Sequence, residues 1–266
     1  MPGSDRAVPE LLLPNLARVY DFLRGGSHNF ATDRAFAERV LAAYPQVWRV
    51  ATANRAFLRR MVQACLQAGV RQFLDLGSGI PTADTVHQIA RAHDPGARVA
   101  YVDVEPVAVS HSQTVLGGLH GVSITEADLR QPEVVLAAPG LSEVLDFAEP
   151  VGLLTVAVLQ FVAPDEDPAG ILARYRAALS PGSMWVCSHV STDFADPAVA
   201  ESARRLVALT RDSAQPAYAR DRTALAALAD ESALLDPGIV DIARWRPEPD
   251  QNQDQTGVYG LVGRLR

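Results

Sequence analysis

The chain has 266 residues, of which 48% are hydrophobic and 21% charged, a composition that allows a full globular core. Its net charge of −7 argues against broad electrostatic attraction to nucleic acid or to an anionic membrane. All 24 basic residues are arginine. The lack of lysine excludes a P-loop and any enzyme that forms a Schiff base through a lysine amine.

Neither a signal peptide nor a membrane span is predicted. Residues 1–14 lack the long apolar core of a signal peptide, and the most continuous apolar run, 151–163, is shorter than the ~20 residues that a membrane helix needs. The two cysteines, Cys65 and Cys187, form no C-x-x-C pair. We therefore expect a soluble, cytoplasmic protein with reduced and buried thiols.

The first sixty residues predict helices. Helical spacing of apolar residues covers 15–24, 32–43 and 47–68, and a glycine-containing polar turn separates the first two segments. Because this part is too short for a substantial core of its own, we expect residues 1–60 to form a cap on the core 61–266. The side chains of Tyr20, Asn29 and Phe30 would then face a bound ligand. The alternative is a helical pair that docks away from the ligand crevice.

A strand, a glycine turn and a helix start are predicted together in QFLDLGSGIPT, residues 72–82. The first five residues suit a buried strand, and Gly77 and Gly79 allow positive φ and close approach of a ligand to the backbone. Pro81 suits the first position of a helix over 82–93. Free N–H groups and the positive end of the helix dipole would lie beside the turn.

A carboxylate ends the next predicted strand, RVAYVD at 98–103, where Asp103 could bind a ribose diol. No third glycine follows Gly79, which disfavours a nicotinamide oxidoreductase. Instead, Asp75 precedes the glycines, near the place where a sulfonium and an amino group could lie. An acid before G-x-G, with a second acid at the next strand end, resembles the S-adenosylmethionine (SAM) site of class I methyltransferases.

From residue 70 onward, predicted strands and helices alternate, as in a parallel sheet with helices on both faces. Further strands are predicted at 122–126, 151–162, 184–190, 239–245 and 257–265, the last two as an antiparallel pair. Further helices are predicted at 106–116, 141–147, 168–179 and 223–229, and a polar, largely helical insert covers 191–222. The predicted fold class is α/β, with a doubly wound, mostly parallel seven-stranded sheet of the class I methyltransferase type and an N-terminal helical cap.

Nearly the whole chain resembles an actinobacterial family of SAM-dependent methyltransferases formerly catalogued as a domain of unknown function. The matching stretches are ARVYDFLRGGSHNFATDR (17–34), ANRAFLRR (53–60), QFLDLGSGIPT (72–82), ARVAYVDVEPV (97–107), EADLR (126–130), LSPGS (179–183) and DPGIVDIARWRP (236–247). The resemblance implies a cofactor site whose residues are Asp75, Gly77 and Gly79 around the methionyl part, Asp103 and the neighbouring Val104 at the ribose, and Asp128 and Leu129 beside the adenine.

Candidate catalytic residues stand at two predicted strand ends. Gln160 occupies a position where relatives tend to show histidine, and glutamine can orient a substrate but cannot act as a base. His189 is the other candidate, since strand ends face the ligand crevice and an unperturbed histidine pKa near 6.5 suits a general base. The alternative is a hydrogen-bonded structural histidine. No cluster has metal-ligand spacing, so no essential metal is expected.

The predicted function is SAM-dependent methyl transfer to a small-molecule nucleophile, such as a secondary metabolite, with S-adenosylhomocysteine (SAH) as the product. Two alternatives stay open: a catalytically silent SAM or SAH binder that senses the cofactor or serves as a scaffold, and a SAM-using enzyme that does not methylate. Arg55, Arg59 and Arg60 form the nearest thing to a basic patch, which is interpreted as a solvated helix face.

Overall fold

The computed structural model describes residues 13–81, 84–229 and 232–265. Within these ranges the strands are β1 (Gln72–Leu76), β2 (Arg98–Asp103), β3 (Val122–Glu126), β4 (Val151–Val156), β5 (Met184–Val190), β6 (Ser232–Leu234), β7 (Val240–Asp241) and β8 (Val258–Leu265). The α-helices are α1 (Leu16–Leu23), α2 (Ala31–Ala43), α3 (Val47–Gln67), α4 (Val86–Arg91), α5 (Pro106–Leu116), α6 (Pro132–Leu136), α7 (Pro139–Ser142), α8 (Pro168–Ala177), α9 (Pro197–Leu209) and α10 (Arg222–Leu228). None of these helices is both long and apolar enough to cross a membrane.

All described strands belong to one sheet, in the order β3-β2-β1-β4-β5-β8-β6, with β7 paired to β8. The first five strands in this order are parallel, and β8 runs antiparallel to β5, β6 and β7. Successive residues of β1 point to opposite faces: Phe73 joins one buried apolar cluster and Leu74 the other. The predicted doubly wound, mostly parallel α/β sheet is therefore confirmed.

The sheet differs from the prediction at its antiparallel edge. It contains eight described strands rather than seven, because the three-residue strand β6 was not predicted. The strand predicted over 239–245 is real only at Val240 and Asp241, since a 3₁₀ helix follows over 242–244. The side chain of Asp241 accepts the N–H of Ala243 at 2.9 Å and thereby starts that turn.

Two element boundaries near the ligand edge also differ from the prediction. The helix predicted over 82–93 begins only at Val86, after a capping box formed by Thr85 and Gln88, so Pro81 does not open it. Thr82 lies outside the described residues. The strand predicted over 151–162 ends at Val156, because Ala157 has a positive φ of 55° and a 3₁₀ helix covers 159–161.

The first two helices form a layer with the insert after β5. A small apolar cluster joins them, with Val19, Phe36, Ala37, Val40 and Val47 buried in it. From the insert, Ala214 donates its N–H to Pro14 O at 3.0 Å, and Asp212 pairs with Arg39 at 2.6 Å. We call the layer of α1, α2 and the 197–218 part of the insert the cap, and α3 also packs on the sheet. The division into a cap over 1–60 and a core over 61–266 stays a prediction.

Arg60 on α3 is a buried structural residue, so its prediction as part of a solvated face is wrong. Its side chain is 6% exposed and donates to Trp245 O at 2.8 Å and Ile242 O at 2.7 Å. Its neighbour Arg59 is half-exposed and forms an ion pair with Asp84 at 2.8 Å. Substitutions of Arg60 and Arg59 therefore compare a buried and an exposed arginine on the same helix.

We expect Arg60→Leu to lower the free energy of unfolding by about 2 to 6 kcal/mol, because two buried carbonyls lose their donors and each costs roughly 1 to 3 kcal/mol. Arg59→Leu should cost less than about 1 kcal/mol, as is usual for an exposed ion pair. Urea unfolding of both variants measures the difference. Equal losses in the two variants would contradict the structural role of Arg60.

Candidate functional site

A cavity of about 770 Å³ lies between the carboxyl ends of the parallel strands and the cap. Its volume falls within the range of roughly 300 to 1,000 Å³ that is usual for small-molecule sites. We call the lining residues within 75–190, together with Val258, the sheet side of the cavity, and those within 15–58 and 206–218 the cap side. The ends of parallel strands are where open α/β sheets bind ligands.

The glycine turn after β1 forms part of the sheet side. The N–H groups of Gly77 and Ser78 donate to Val102 O at 2.8 and 3.2 Å, which holds the turn against β2. Both glycines have positive φ, 72° at Gly77 and 65° at Gly79. A Cβ on Gly77 would lie 2.1 Å from Val158 Cγ2, whereas a Cβ on Gly79 would meet nothing within 4 Å. Gly77 thus permits close packing, and Gly79 leaves the backbone open to a ligand.

Asp103 stands at the end of β2, where the sequence predicted it. Its Oδ2 accepts the N–H of Gly79 at 2.6 Å, and its Oδ1 accepts the N–H of Glu105 at 2.9 Å. Burial raises the pKa of Asp103, although these two N–H groups oppose the shift. Val104, the next residue, is 46% exposed and also lines the cavity. The carboxylate is therefore fixed in position beside the glycine turn.

Two buried polar groups of the sheet side have no hydrogen-bond partner among the described residues. Asp75 is 8% exposed, and its carboxylate makes no hydrogen bond within that part of the chain. Burial raises its pKa to about 7, a shift that Arg55 opposes and Asp103 increases. The Oγ of Ser78 is also buried without a partner. Groups of this kind are expected where a polar ligand completes the hydrogen bonding.

The segment after β3 brings Asp128, Leu129 and Arg130 to the cavity. Burial would raise the pKa of Asp128, but hydrogen bonds from Arg130 outweigh it and lower that pKa. Arg130 also pairs with Glu166 at 2.8 Å, and Leu129 O accepts the hydroxyl of Tyr175 at 2.9 Å. These contacts fix a short polar loop on the rim of the sheet side.

Of the three predicted cap residues, only Tyr20 lines the cavity. Its hydroxyl donates to Ala51 O at 3.1 Å. Asn29 instead folds back into its own turn, where Nδ2 donates to Asp21 Oδ2 at 2.9 Å. Phe30 caps α2 and lies under the guanidinium of Arg18, 4.9 Å from the ring centroid. The structure therefore places Asn29 and Phe30 outside the cavity lining.

Gln160 lines the cavity, but on the 3₁₀ helix after β4 rather than on the strand. Its Oε1 accepts the N–H of Val190 at 3.3 Å, so the side chain joins this turn to the end of β5. Among the described residues, no group bonds to its Nε2. The amide nitrogen can therefore donate to a ligand.

His189 is fully buried and is not among the residues that line the cavity. Its ring bonds to Val190 O through Nδ1 at 2.8 Å, and Arg220 donates to Nε2 at 2.8 Å. Burial and then the charge of Arg220 lower its pKa to about 4, with hydrogen bonding to Val190 opposing the shift. Both ring nitrogens are occupied and the ring does not line the cavity, so the structure supports the structural alternative and not the hypothesis of a catalytic base.

Sequence reasoning missed two cavity residues on α3, Arg55 and Asn54. Arg55 was interpreted as solvated, yet it lines the cavity near Asp75 and Ser78 and forms no ion pair with a described residue. Asn54 is 8% exposed, and its Oδ1 accepts the hydroxyl of Ser188 at 2.7 Å. The available signal was helical spacing, since Arg55 lies one turn from the apolar Ala51 and thus on an inward face.

The described part of the chain contains no metal-ligand cluster. Among the described residues, no group of three or more His, Cys, Asp or Glu side chains could hold a metal ion.

The buried state of His189 predicts a pH effect on stability. Its folded pKa of about 4 lies below the ordinary value near 6.5, so between these values the unfolded chain binds more protons and the folded state loses stability as pH falls. We expect the stability difference between wild type and His189→Gln to shrink by about 2 kcal/mol from pH 7.5 to pH 5. Urea unfolding of both proteins at both pH values measures this stability difference. The effect of the raised pKa of Asp75 cancels, because both proteins contain Asp75. A constant difference would contradict a neutral, buried histidine.

Comparisons with known proteins identify the family to which the chain belongs. A family model described as S-adenosyl methyltransferase matches residues 10–266. A candidate methyltransferase from Thermobifida fusca YX is 32% identical, with a TM-score of 0.90 over 99% of this chain and 100% of that one. A DUF574 family protein from Streptomyces avermitilis MA-4680 is 30% identical, with a TM-score of 0.89 over 96% of this chain and 98% of that one.

More distant structures share the fold alone. Human N-acetylserotonin methyltransferase, solved in complex with SAM, is 16% identical, with a TM-score of 0.52 over 92% of this chain and 62% of that one. No curated protein sequence matches the chain. Since the family model covers nearly the whole sequence and two solved structures align with it end to end, the chain belongs to the S-adenosyl methyltransferase family, with a class I methyltransferase-like fold.

Proposed function

We propose that the protein transfers the methyl group of SAM to a small molecule held in the cavity between sheet and cap. The observation that carries the proposal is the sheet side of the cavity, where an open glycine turn lies among acidic side chains. Six acidic residues and one arginine line this side: Asp75, Asp103, Glu105, Asp128, Asp165, Glu166 and Arg130. An excess of negative charge suits a cofactor with a sulfonium and an amino group.

The described residues offer a contact for each part of SAM. The space beside Gly79, where a Cβ would meet nothing within 4 Å, admits a ligand against the backbone. Asp103 would accept hydrogen bonds from the ribose hydroxyls, and Asp128 with Leu129 would lie at the adenine. The unpartnered carboxylate of Asp75 would bind the amino group, and Arg55 would bind the carboxylate of the methionyl part.

Bound SAM would supply a methyl group that its sulfonium charge already activates. The protein then needs to bind and orient the acceptor and to exclude water, and such positioning can contribute up to about 7 to 11 kcal/mol in favourable cases. Tyr20, Asn54 and Gln160 line the cavity where the cap meets the sheet and would orient the acceptor. His189 would keep the end of β5 in shape without exchanging a proton with the acceptor.

The second candidate function is a SAM or SAH binder without catalysis, which the glutamine at position 160 favours. The cap side favours transfer instead, because it provides an enclosed wall for a second ligand beyond the acidic part of the cavity. The expected absence of nucleic-acid and membrane partners remains a prediction from the net charge of −7.

Arg55 can be tested with two ligands that share an adenosine but differ in the amino-acid part. We expect Arg55→Gln to weaken SAH binding about 10- to 100-fold, since a hydrogen bond to a charged group is worth roughly 1.5 to 3 kcal/mol. Binding of methylthioadenosine, which lacks the carboxylate, should not change. Calorimetric titration of both ligands gives the ratio of the SAH affinity to the methylthioadenosine affinity.

Two control variants separate the contributions. Arg59→Gln, four residues beyond Arg55 on α3 and paired with Asp84, should bind both ligands as wild type does. Asp103→Ala should weaken the binding of both ligands to the same extent, because each ligand contains the ribose. A wild-type SAH to methylthioadenosine affinity ratio in Arg55→Gln would remove Arg55 from the cofactor site.

Methyl transfer itself is tested with methyl-labelled SAM and a small-molecule metabolite extract. We expect label in a new small molecule with wild type, and about 100-fold less with Asp103→Ala at limiting SAM, because two hydrogen bonds to a charged group are lost. Normal SAH binding without any transfer of label would favour the silent binder, and no SAH binding would overturn the cofactor assignment.

A further inference from the structure

Charge is divided unequally between the two sides of the cavity. Among the described residues of the cap side, the ionisable ones are two arginines and two tyrosines: Arg18, Arg55, Tyr20 and Tyr218. Arg18 is 1% exposed and already pairs with Asp33 and Glu105, and Arg55 faces Asp75. No aspartate, glutamate or histidine lines this side in the described part of the chain. The cap side thus offers no general base, and its one arginine without an ion pair among the described residues, Arg55, is assigned by the proposed function to the carboxylate of SAM.

Aliphatic side chains from four helices make up most of the cap side. They come from α1, α2, α3 and α9 and include Leu16, Leu23, Val40, Val50, Leu58 and Val207. A charged acceptor in this wall would lose water without gaining a partner, which costs several kcal/mol per ion. The body of the acceptor should therefore be uncharged and largely apolar.

Two amide groups provide the polar contacts at the boundary of the two sides. Asn54 and Gln160 line the cavity, and each uses its side-chain oxygen within the protein, toward Ser188 and Val190. Among the described residues, neither side-chain nitrogen has a hydrogen-bond partner. Both nitrogens are donors, so they suit an acceptor atom of the ligand other than the reacting nitrogen, whose lone pair must stay free for the methyl group.

The lack of a base on the cap side restricts the nucleophile. The carboxylates of the sheet side are committed elsewhere: the proposed function assigns Asp75, Asp103 and Asp128 to the cofactor, Glu105 and Glu166 pair with arginines, and Asp165 is exposed. A phenolic hydroxyl with a pKa near 10 needs a base, and an alkyl amine with a pKa near 10.4 enters as a cation at neutral pH. The nitrogen of an aromatic amine or heterocycle is neutral and keeps its lone pair. We infer that the methyl acceptor is an uncharged, mostly apolar molecule with such an aromatic nitrogen, an inference that rests on the proposed function.

The transfer balances without a proton acceptor in the protein. The nitrogen lone pair forms the bond to the methyl carbon while the carbon–sulfur bond breaks, and the electrons of that bond remain on the sulfur of SAH. The positive charge passes from sulfur to nitrogen. An amine product then loses its proton to water after it leaves the cavity.

Binding of three naphthalene derivatives to the SAH-saturated protein tests the charge requirement directly. We expect neutral aminonaphthalene to bind at least about tenfold more tightly than naphthoate or naphthylmethylammonium, as followed by ligand fluorescence. With labelled SAM, we expect label on the nitrogen of aminonaphthalene and not on the oxygen of naphthol.

A pair of variants on α9 ties this binding to the cap side. Val207 lines the cavity, whereas the adjacent Ala208 is exposed and does not. Val207→Asp should weaken the binding of aminonaphthalene about tenfold or more, and Ala208→Asp should leave this binding unchanged. Both variants should keep the SAH affinity of wild type, which shows that they fold.

The outcomes separate this inference from the proposed function. Equal or tighter binding of either ion, or equal behaviour of the two α9 variants, would overturn the uncharged acceptor while SAH binding still supports the cofactor site. Label on naphthol in preference to the amine, or on neither compound, would overturn the inference that the methyl acceptor is an aromatic nitrogen. A protein that fails to bind SAH would overturn the proposed function instead.

Discussion

A single buried arginine joins the cap to the edge of the sheet that carries the glycine turn. Arg18 on α1 donates to Asp33 at 2.7 Å and to Glu105 at 2.5 Å, and its side chain is 1% exposed. The other oxygen of Glu105 accepts the N–H of Ala108 at 2.7 Å and starts α5. Because loss of one partner would leave an uncompensated buried charge, typically at a cost of 3 to 5 kcal/mol, α1, α2 and the β2–α5 connection are held in one arrangement.

The same contacts reach the glycine turn. The backbone N–H of Glu105 donates to Asp103, and Asp103 in turn accepts the N–H of Gly79, so Arg18 connects to the turn through two carboxylates in succession. The apolar cluster of the cap is small, with five buried members. The ion network therefore fixes the position of the cap together with this cluster. Buried ion pairs often fix geometry without adding much net stability, which suits a wall that must shape a cavity.

The sequence predicts those parts of the site that depend on local patterns. β1 and β2 have the predicted bounds, because an apolar run that stops at a glycine or an aspartate marks a strand end without reference to the remaining chain. The arginines of α3 could not be told apart in this way. Arg60 bonds to Trp245, 185 residues away, while Arg55 faces the cavity. For His189, the deciding partner is Arg220, 31 residues later, so its buried and neutral state is a property of the tertiary structure.

Polar groups at the ends of β4 and β5 hold a shape rather than move protons. Arg220 donates to Leu159 O at 2.8 Å, to Val162 O at 2.7 Å and to His189. These three hydrogen bonds hold the turn that carries Gln160. Gln160 O also accepts the N–H of Tyr218 from the cap side at 2.7 Å. An arginine stays charged and cannot relay a proton. Since positioning loses its effect when groups shift by about 1 Å, these hydrogen bonds give the proposed transfer the fixed walls that a reaction without a base would need.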